Sequence, residues 1–73
     1  MVPFATRLQK ARKQKHLKQR EMAEYLQIGI RSYQNYEGGQ REPDFKTLVA
    51  LADLLDVSTD YLLGRTDEPK PYL

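Results

Sequence analysis

Apolar residues recur along this chain in five short bursts, each at helical spacing. Phe4, Leu8 and Ala11 form a narrow stripe over 4–15, with Arg and Lys filling the remaining positions. Pro3 suits the start of that helix, and His16 and Leu17 end it, with Leu17 expected as a buried anchor. Met22, Ala23 and Leu26 define a second helix over 19–26, and Tyr33 and Tyr36 the apolar side of a third over 30–36. Phe45, Leu48, Val49, Leu51, Ala52 and Leu55 make 45–55 the most apolar segment and the expected core helix. Tyr61, Leu62 and Leu63 are read as the inward side of a fifth helix over 59–63. No segment alternates with the period of a strand, so the expected fold is an all-α, five-helix domain.

The punctuation between these bursts supports the boundaries. Gly38-Gly39 ends the third helix and Gly64 the fifth, where glycine readily takes a left-handed turn. Pro43 disfavours helix before it, which makes Gln40–Pro43 an extended loop. Asp44 and Ser58 stand where side-chain caps are wanted. Lys18 does not, because an ammonium accepts no hydrogen bond, and helix 2 forgoes roughly 1 kcal/mol of capping. Glu21 can still reach back to the Lys18 amide, as half of a capping box. Residues 1–64 are read as one domain, and 65–73, with two prolines and mixed charge, as a tail or linker.

The 73 residues include no cysteine, so neither a disulfide nor a thiolate metal site can brace the fold. No apolar run approaches the roughly 20 residues of a membrane span, and no signal-peptide pattern opens the chain. A soluble, cytoplasmic protein is expected. The net charge is only +2, but it is unevenly placed. Residues 1–41 carry nine Lys/Arg against three Glu, a net of +6, and residues 42–73 carry three against seven acids, a net of −4. That asymmetry suits a polyanion-facing half and a half that faces elsewhere, although a solvated basic helix face would look the same.

The outward side of helix 3 carries Arg31, Gln34 and Asn35. Long, planar, hydrogen-bonding side chains on one exposed helical face are what reading DNA base edges requires. Arg31 could bind guanine O6 and N7, and Asn35, four residues on, adenine N6 and N7. Gln34 could point along a groove or toward the backbone. Ser32, Gly38, Gln40 and Arg41 would lie along the phosphates, with Lys18 adding diffuse attraction. His16 has no metal-ligand partner at useful spacing, and Asp53, Asp56 and Asp60 lack the spacing of a calcium loop. No nucleophile, base and orienting group stand together, so neither an enzyme nor a cofactor or metal protein is expected.

Across nearly the whole chain, one set of landmarks has a familiar order and spacing. They run Phe4, Arg7-Leu8, Arg12, Leu17, Gln19, Glu21-Met22-Ala23, Leu26, Ile28, Tyr33, Tyr36-Glu37, Gly39, Pro43, Leu48, Leu51-Ala52, Leu55, Val57-Ser58 and Asp60 to Gly64. In these the chain resembles the phage-repressor/Cro-type (XRE-like) helix-turn-helix family. The resemblance implies that helices 2 and 3 form the DNA-reading unit of a transcriptional regulator, a repressor of prophage or bacterial origin. It marks Gln19 as a phosphate contact and pairs Arg12 with Glu37 as an ion pair joining helices 1 and 3. It places Gly29 at the helix 3 cap, on the phosphate side, and Ile30 at a base-contacting position, where only apolar contact such as a thymine methyl is open to it. Gln27 stands where the family usually has glycine, so a left-handed Gln27 is expected to cost something like 1 kcal/mol.

So small a domain buries limited area on DNA, and a homodimer on an inverted repeat is expected. By resemblance its contact lies on the helix 4–5 side, with Tyr61, Leu62, Tyr72 and Leu73 as candidates. A partner protein or a C-terminal effector domain would also fit the acidic half. Two rival readings use the same scaffold: an antitoxin that sequesters a toxin, and a protein-interaction module that no longer binds DNA.

Overall fold

A computed structural model describes residues 3–70. Within them the chain forms α1 (Phe4–Gln14), α2 (Gln19–Leu26), α3 (Ile30–Gly38), α4 (Phe45–Leu55) and α5 (Thr59–Leu62), with no strand among the described residues. The fold is all-α, as the apolar spacing indicates. The α2 and α4 ranges match the sequence reading, α1 and α5 each stop one residue earlier, and α3 runs on to Gly38.

All five helices end in the same way. One or two residues past each, the chain adopts a left-handed conformation: Gln27 (φ 57), Gly39 (φ 80) and Asp56 (φ 55) directly after α2, α3 and α4, and His16 (φ 59) and Gly64 (φ 78) one residue further on, after α1 and α5. The following amide then bonds back five residues, in Leu17→Arg12, Ile28→Ala23, Gln40→Asn35, Val57→Ala52 and Arg65→Asp60. This double turn satisfies carbonyls that a helix end leaves open, and its last residue commonly packs against the helix it closes. Leu17, Ile28 and Val57 do so, since each lies in or against the core. The sharp reversals let α2 and α3 meet across a very short turn.

Histidine and aspartate tolerate the left-handed region better than most side chains. Gln27 has neither that tolerance nor glycine's freedom. Gln27→Gly is therefore expected to stabilise the domain by about 1 kcal/mol, read as a raised urea midpoint with an unchanged slope. Unaltered stability would mean that the glutamine side chain gains elsewhere what its backbone loses.

Capping follows the side chains available. Asp44 Oδ1 accepts the Thr47 amide at 2.8 Å, and Ser58 Oγ accepts the Tyr61 amide at 2.9 Å. The Asp44 carboxyl is held below its ordinary range, chiefly by Thr47. The Lys18 side chain caps nothing, but Glu21 Oε1 accepts the Lys18 amide at 2.9 Å.

The core joins Leu8 and Ala11 of α1, Met22 and Ala23 of α2, Tyr33 of α3, Leu51, Ala52 and Leu55 of α4, and Val57, Tyr61 and Leu62 beyond. Here the structure corrects several expectations. Phe45 is 88% exposed and Val49 50%. The stripe of α4 that faces in runs through Leu48, Leu51, Ala52 and Leu55, and Phe45 and Val49, one turn apart, flank it. Leu63 lies outside too, because α5 closes at Leu62 and the next side chain swings away. Conversely, Tyr61 and Leu62 cannot serve as a dimer surface, since they are 3% and 0% exposed and belong to the core. Tyr72 and Leu73 lie outside the described residues.

Residues 65–70 run back along α1 and α5. The Pro69 carbonyl accepts the Ser58 amide at 2.9 Å, and Asp67 Oδ1 accepts from Arg7 Nη2 at 2.5 Å. Arg7 is almost wholly buried, with its guanidinium 4.3 Å from the centre of the Tyr61 ring. An arginine in that position is stabilised by the ring face as well as by the carboxylate.

Candidate nucleic-acid interface

The α2–turn–α3 unit rests on one carboxylate. Glu37, near the end of α3, has a side chain only 3% exposed, and Arg12 of α1 beside it is 11% exposed. Arg12 donates from Nε at 2.5 Å and from Nη2 at 3.1 Å, a two-pronged bond. The third prong, Nη1, reaches the Leu17 carbonyl at 2.9 Å and ties in the α1–α2 turn. Tyr33 donates its hydroxyl to Glu37 at 2.5 Å, and Gln19 of α2 donates from Nε2 at 3.1 Å. Three helices are thus fixed to one acceptor, and among the described residues no buried side-chain polar atom lacks a partner.

The electrostatics follow from this packing. Burial by itself would raise the Glu37 carboxyl, but the bonds from Arg12, Tyr33 and Gln19 outweigh it and hold the group below its ordinary value of 4.5. Burial and the neighbouring carboxylate push the Tyr33 phenol far above its ordinary value, so it remains a donor. The Arg12 guanidinium is raised mainly by its bond to Glu37.

Beyond this anchor lies the outward face of α3. Ile30, Arg31 and Gln34 are exposed, and Ser32 and Asn35 half-buried. Arg31, Gln34 and Asn35 share one side of the helix by their spacing of three and four. Among the described residues Arg31 pairs with no carboxylate, so its guanidinium is available to a ligand. Gln34 does not stand alone: its Nε2 donates to Gln19 Oε1 at 3.3 Å. Gly29 is the residue before α3, in extended conformation, with no side chain over the helix start. Lys18 is exposed and Gln19 half-buried at the start of α2.

The loop after α3 is folded onto the helix it leaves. The Asn35 carbonyl accepts both the Gln40 and the Arg41 amides, at 3.0 and 3.2 Å. The Gln40 side chain bends over Gly38, into the space a Cβ there would take. Gly38, Gln40 and Arg41 are all exposed. Two tertiary features carry no signal in the sequence. Arg7 was a landmark only, and its ring contact and tie to Asp67 carry no local signal. The link between Gln19 and Gln34 was equally hidden, because it depends on side-chain direction.

The helix-turn-helix family model matches residues 8–62. The chain belongs to the helix-turn-helix family. Its relatives place it in the phage-repressor, XRE-like branch of that family. It is 52% identical over 66 residues to the uncharacterized HTH-type transcriptional regulator YqaE of Bacillus subtilis, covering 89% of this chain and 57% of that protein. It is 47% identical over 69 residues to the HTH-type transcriptional regulator ImmR of the same organism, covering 94% and 54%. It is also similar to the cryptic phage CTXphi transcriptional repressor RstR of Vibrio cholerae, at 42% over 64 residues, covering 85% and 57%. The chain thus spans little more than half the length of these relatives. Among solved structures, a transcriptional regulator from Listeria innocua superposes with a TM-score of 0.80 at 32% identity, over 92% of this chain and 64% of that one. The P22 c2 repressor, solved with a synthetic operator, superposes at 0.82 over 90% of this chain and all of that one, and at 24% identity it speaks for the shared fold.

Proposed function

We propose that this protein is a sequence-specific, double-stranded-DNA-binding transcriptional repressor of prophage or bacterial origin. The observation that carries the reading is the pairing of an exposed Arg31–Gln34–Asn35 face with a buried Arg12–Glu37–Tyr33 anchor that holds the face rigid. Helix α3 enters the major groove, and the start of α2 and the 38–41 loop lie along phosphates. Arg31 and Asn35 read base edges, with Ile30 supplying apolar contact. Gly29, Ser32, Gly38, Gln40, Arg41 and Lys18 face the backbone. The chemistry is binding alone, and no catalytic role is assigned. Relatives named as transcriptional regulators, one of them a phage repressor, favour this reading over the antitoxin and the interaction module.

The repressor works as a homodimer, in the bacterial cytoplasm and on the nucleoid. With Tyr61 and Leu62 committed to the core, the contact on the α4–α5 side falls to the apolar residues that are exposed there, Phe45, Val49 and Leu63. Leaving Phe45 in water is unfavourable, and a second copy would cover it.

Two substitutions test the division of labour on α3 and its loop. Arg31→Ala should cost about 1–3 kcal/mol on the cognate site and relax preference at one base pair. Arg41→Ala should weaken all duplexes alike and flatten the salt dependence, as expected for a lost phosphate contact. Equal loss on cognate and random DNA for Arg31→Ala would reassign that residue to the backbone.

A further inference from the structure

The hydrogen bonds that leave Glu37 have a direction, and that direction reaches the exposed face of α3. Glu37 is held below its ordinary value and is therefore a carboxylate at neutral pH, able only to accept. Its buried oxygens take Arg12 twice, the Tyr33 hydroxyl, and the Gln19 side chain. Gln19 must turn its NH2 to that carboxylate, because its carbonyl would meet like charge. A primary amide carries its acceptor at the other end. The Gln19 carbonyl consequently faces α3, and Gln34 meets it with NH2, Nε2 to Oε1 at 3.3 Å. The inverted orientation of either amide would set oxygen against oxygen. One buried acid thus fixes both amides in turn.

Two consequences follow for the exposed surface. The Gln19 oxygen that faces outward is an acceptor and repels a phosphate, so only its second N–H remains for the backbone. Gln34, with one N–H spent on Gln19, presents its carbonyl oxygen and its other N–H. An acceptor beside a donor is the complement of the adenine edge, where N6–H2 donates and N7 accepts. It does not complement guanine, which shows two acceptors there.

We propose that Gln34 reads an adenine in the major groove, and that Gln19 is a positioning residue that transmits the orientation set by Glu37. The proposal rests on the DNA-binding reading above and sharpens it. Gln34 becomes a pre-oriented reader, where its place in the sequence left it between groove and backbone. Because the orientation is set in the free protein, the adenine contact does not require a flexible side chain to be ordered on binding.

The test uses an operator obtained by selection, and a panel of duplexes in which each base pair is changed singly. Wild type should prefer A·T at one position per half-site by about tenfold to a hundredfold, the range of a bidentate contact. Gln34→Ala should abolish that preference and keep those at other positions. Gln34→Glu, which offers acceptors only, should move the preference at the same position toward cytosine, whose N4–H2 donates. Gln19→Ala keeps the reader but frees it, and should lower the A·T preference several-fold at that position alone. A merely structural Gln19 would instead lower affinity on every duplex equally. Gln34 is exposed, and Arg12 and Tyr33 still hold Glu37 without Gln19, so all three variants should fold, as circular dichroism would show. If Gln34→Ala leaves every preference unchanged, or if Gln19→Ala acts uniformly, the assignment is overturned while sequence-specific binding stands. If wild type selects no sequence at all, the DNA-binding reading falls and takes the assignment with it.

Discussion

Replacing Arg12 with methionine should destabilise the domain by about 3–5 kcal/mol at neutral pH, a large part of the total for a protein of this size. The loss comes less from the attraction of the pair than from what remains. Glu37, with a side chain 3% exposed, would be left charged and buried with only Tyr33 and Gln19 as donors. The pH dependence gives the claim its sharpest form. In the wild type the folded Glu37 carboxyl lies below its unfolded value near 4.5. Its contribution is therefore complete above about pH 4.5 and is lost as the pH falls through the lower, folded value. Without Arg12, burial dominates and the folded value rises above the unfolded one, which reverses the sign. The variant should gain relative stability on acidification, and the gap to wild type should narrow below neutrality. Urea unfolding across pH 3–8 would show this, and a gap constant with pH would refute it. Adding Glu37→Leu and Tyr33→Phe should recover much of the loss, since the buried carboxylate and phenol are then removed together with the guanidinium.

Leu62→Ala should cost about 2–5 kcal/mol, at every protein concentration. Leu62 is fully buried on α5, among the side chains that join α5 to the rest of the core. Truncation leaves a cavity that the short helix, pinned by the Ser58 cap and the Gly64 turn, cannot easily close. A surface residue engaged only between subunits would behave differently. Its loss would leave monomer stability intact and shift only the concentration dependence of assembly. Thermal unfolding at two widely separated concentrations distinguishes these outcomes, and a concentration-dependent loss would return Leu62 to the surface.

That contrast marks where sequence pattern reaches its limit. Helices α2 and α4 were legible to the residue, because Asp44, Glu21 and the apolar spacing agree with one another. The left-handed ends at Gly39 and Gly64 were equally plain, and the strained one at Gln27 followed from a family resemblance. What periodicity could not do was rank apolar residues on a helix that is apolar around much of its circumference. Phe45 and Val49 flank the α4 stripe and Leu63 overshoots α5, whereas Tyr61 and Leu62 fill the centre. Arg7 shows a second limit. A charge is read as surface, yet its partner Asp67 lies 60 residues away and its cover is an aromatic ring. The Gln19–Gln34 link spans 15 residues between two elements and exists only through side-chain direction. Local rules are silent on both, because each is a product of tertiary packing.

If the α3 face reads DNA sequence, repeated selection of bound duplexes from a random pool will enrich one. The enriched sequence should be an inverted repeat with half-site centres about 34–36 Å apart, one helical turn. Each half-site should be specified at few positions, with affinity falling steeply as salt rises. A pool that emerges from repeated selection with no enriched sequence, bound no more tightly than at the start, would contradict it.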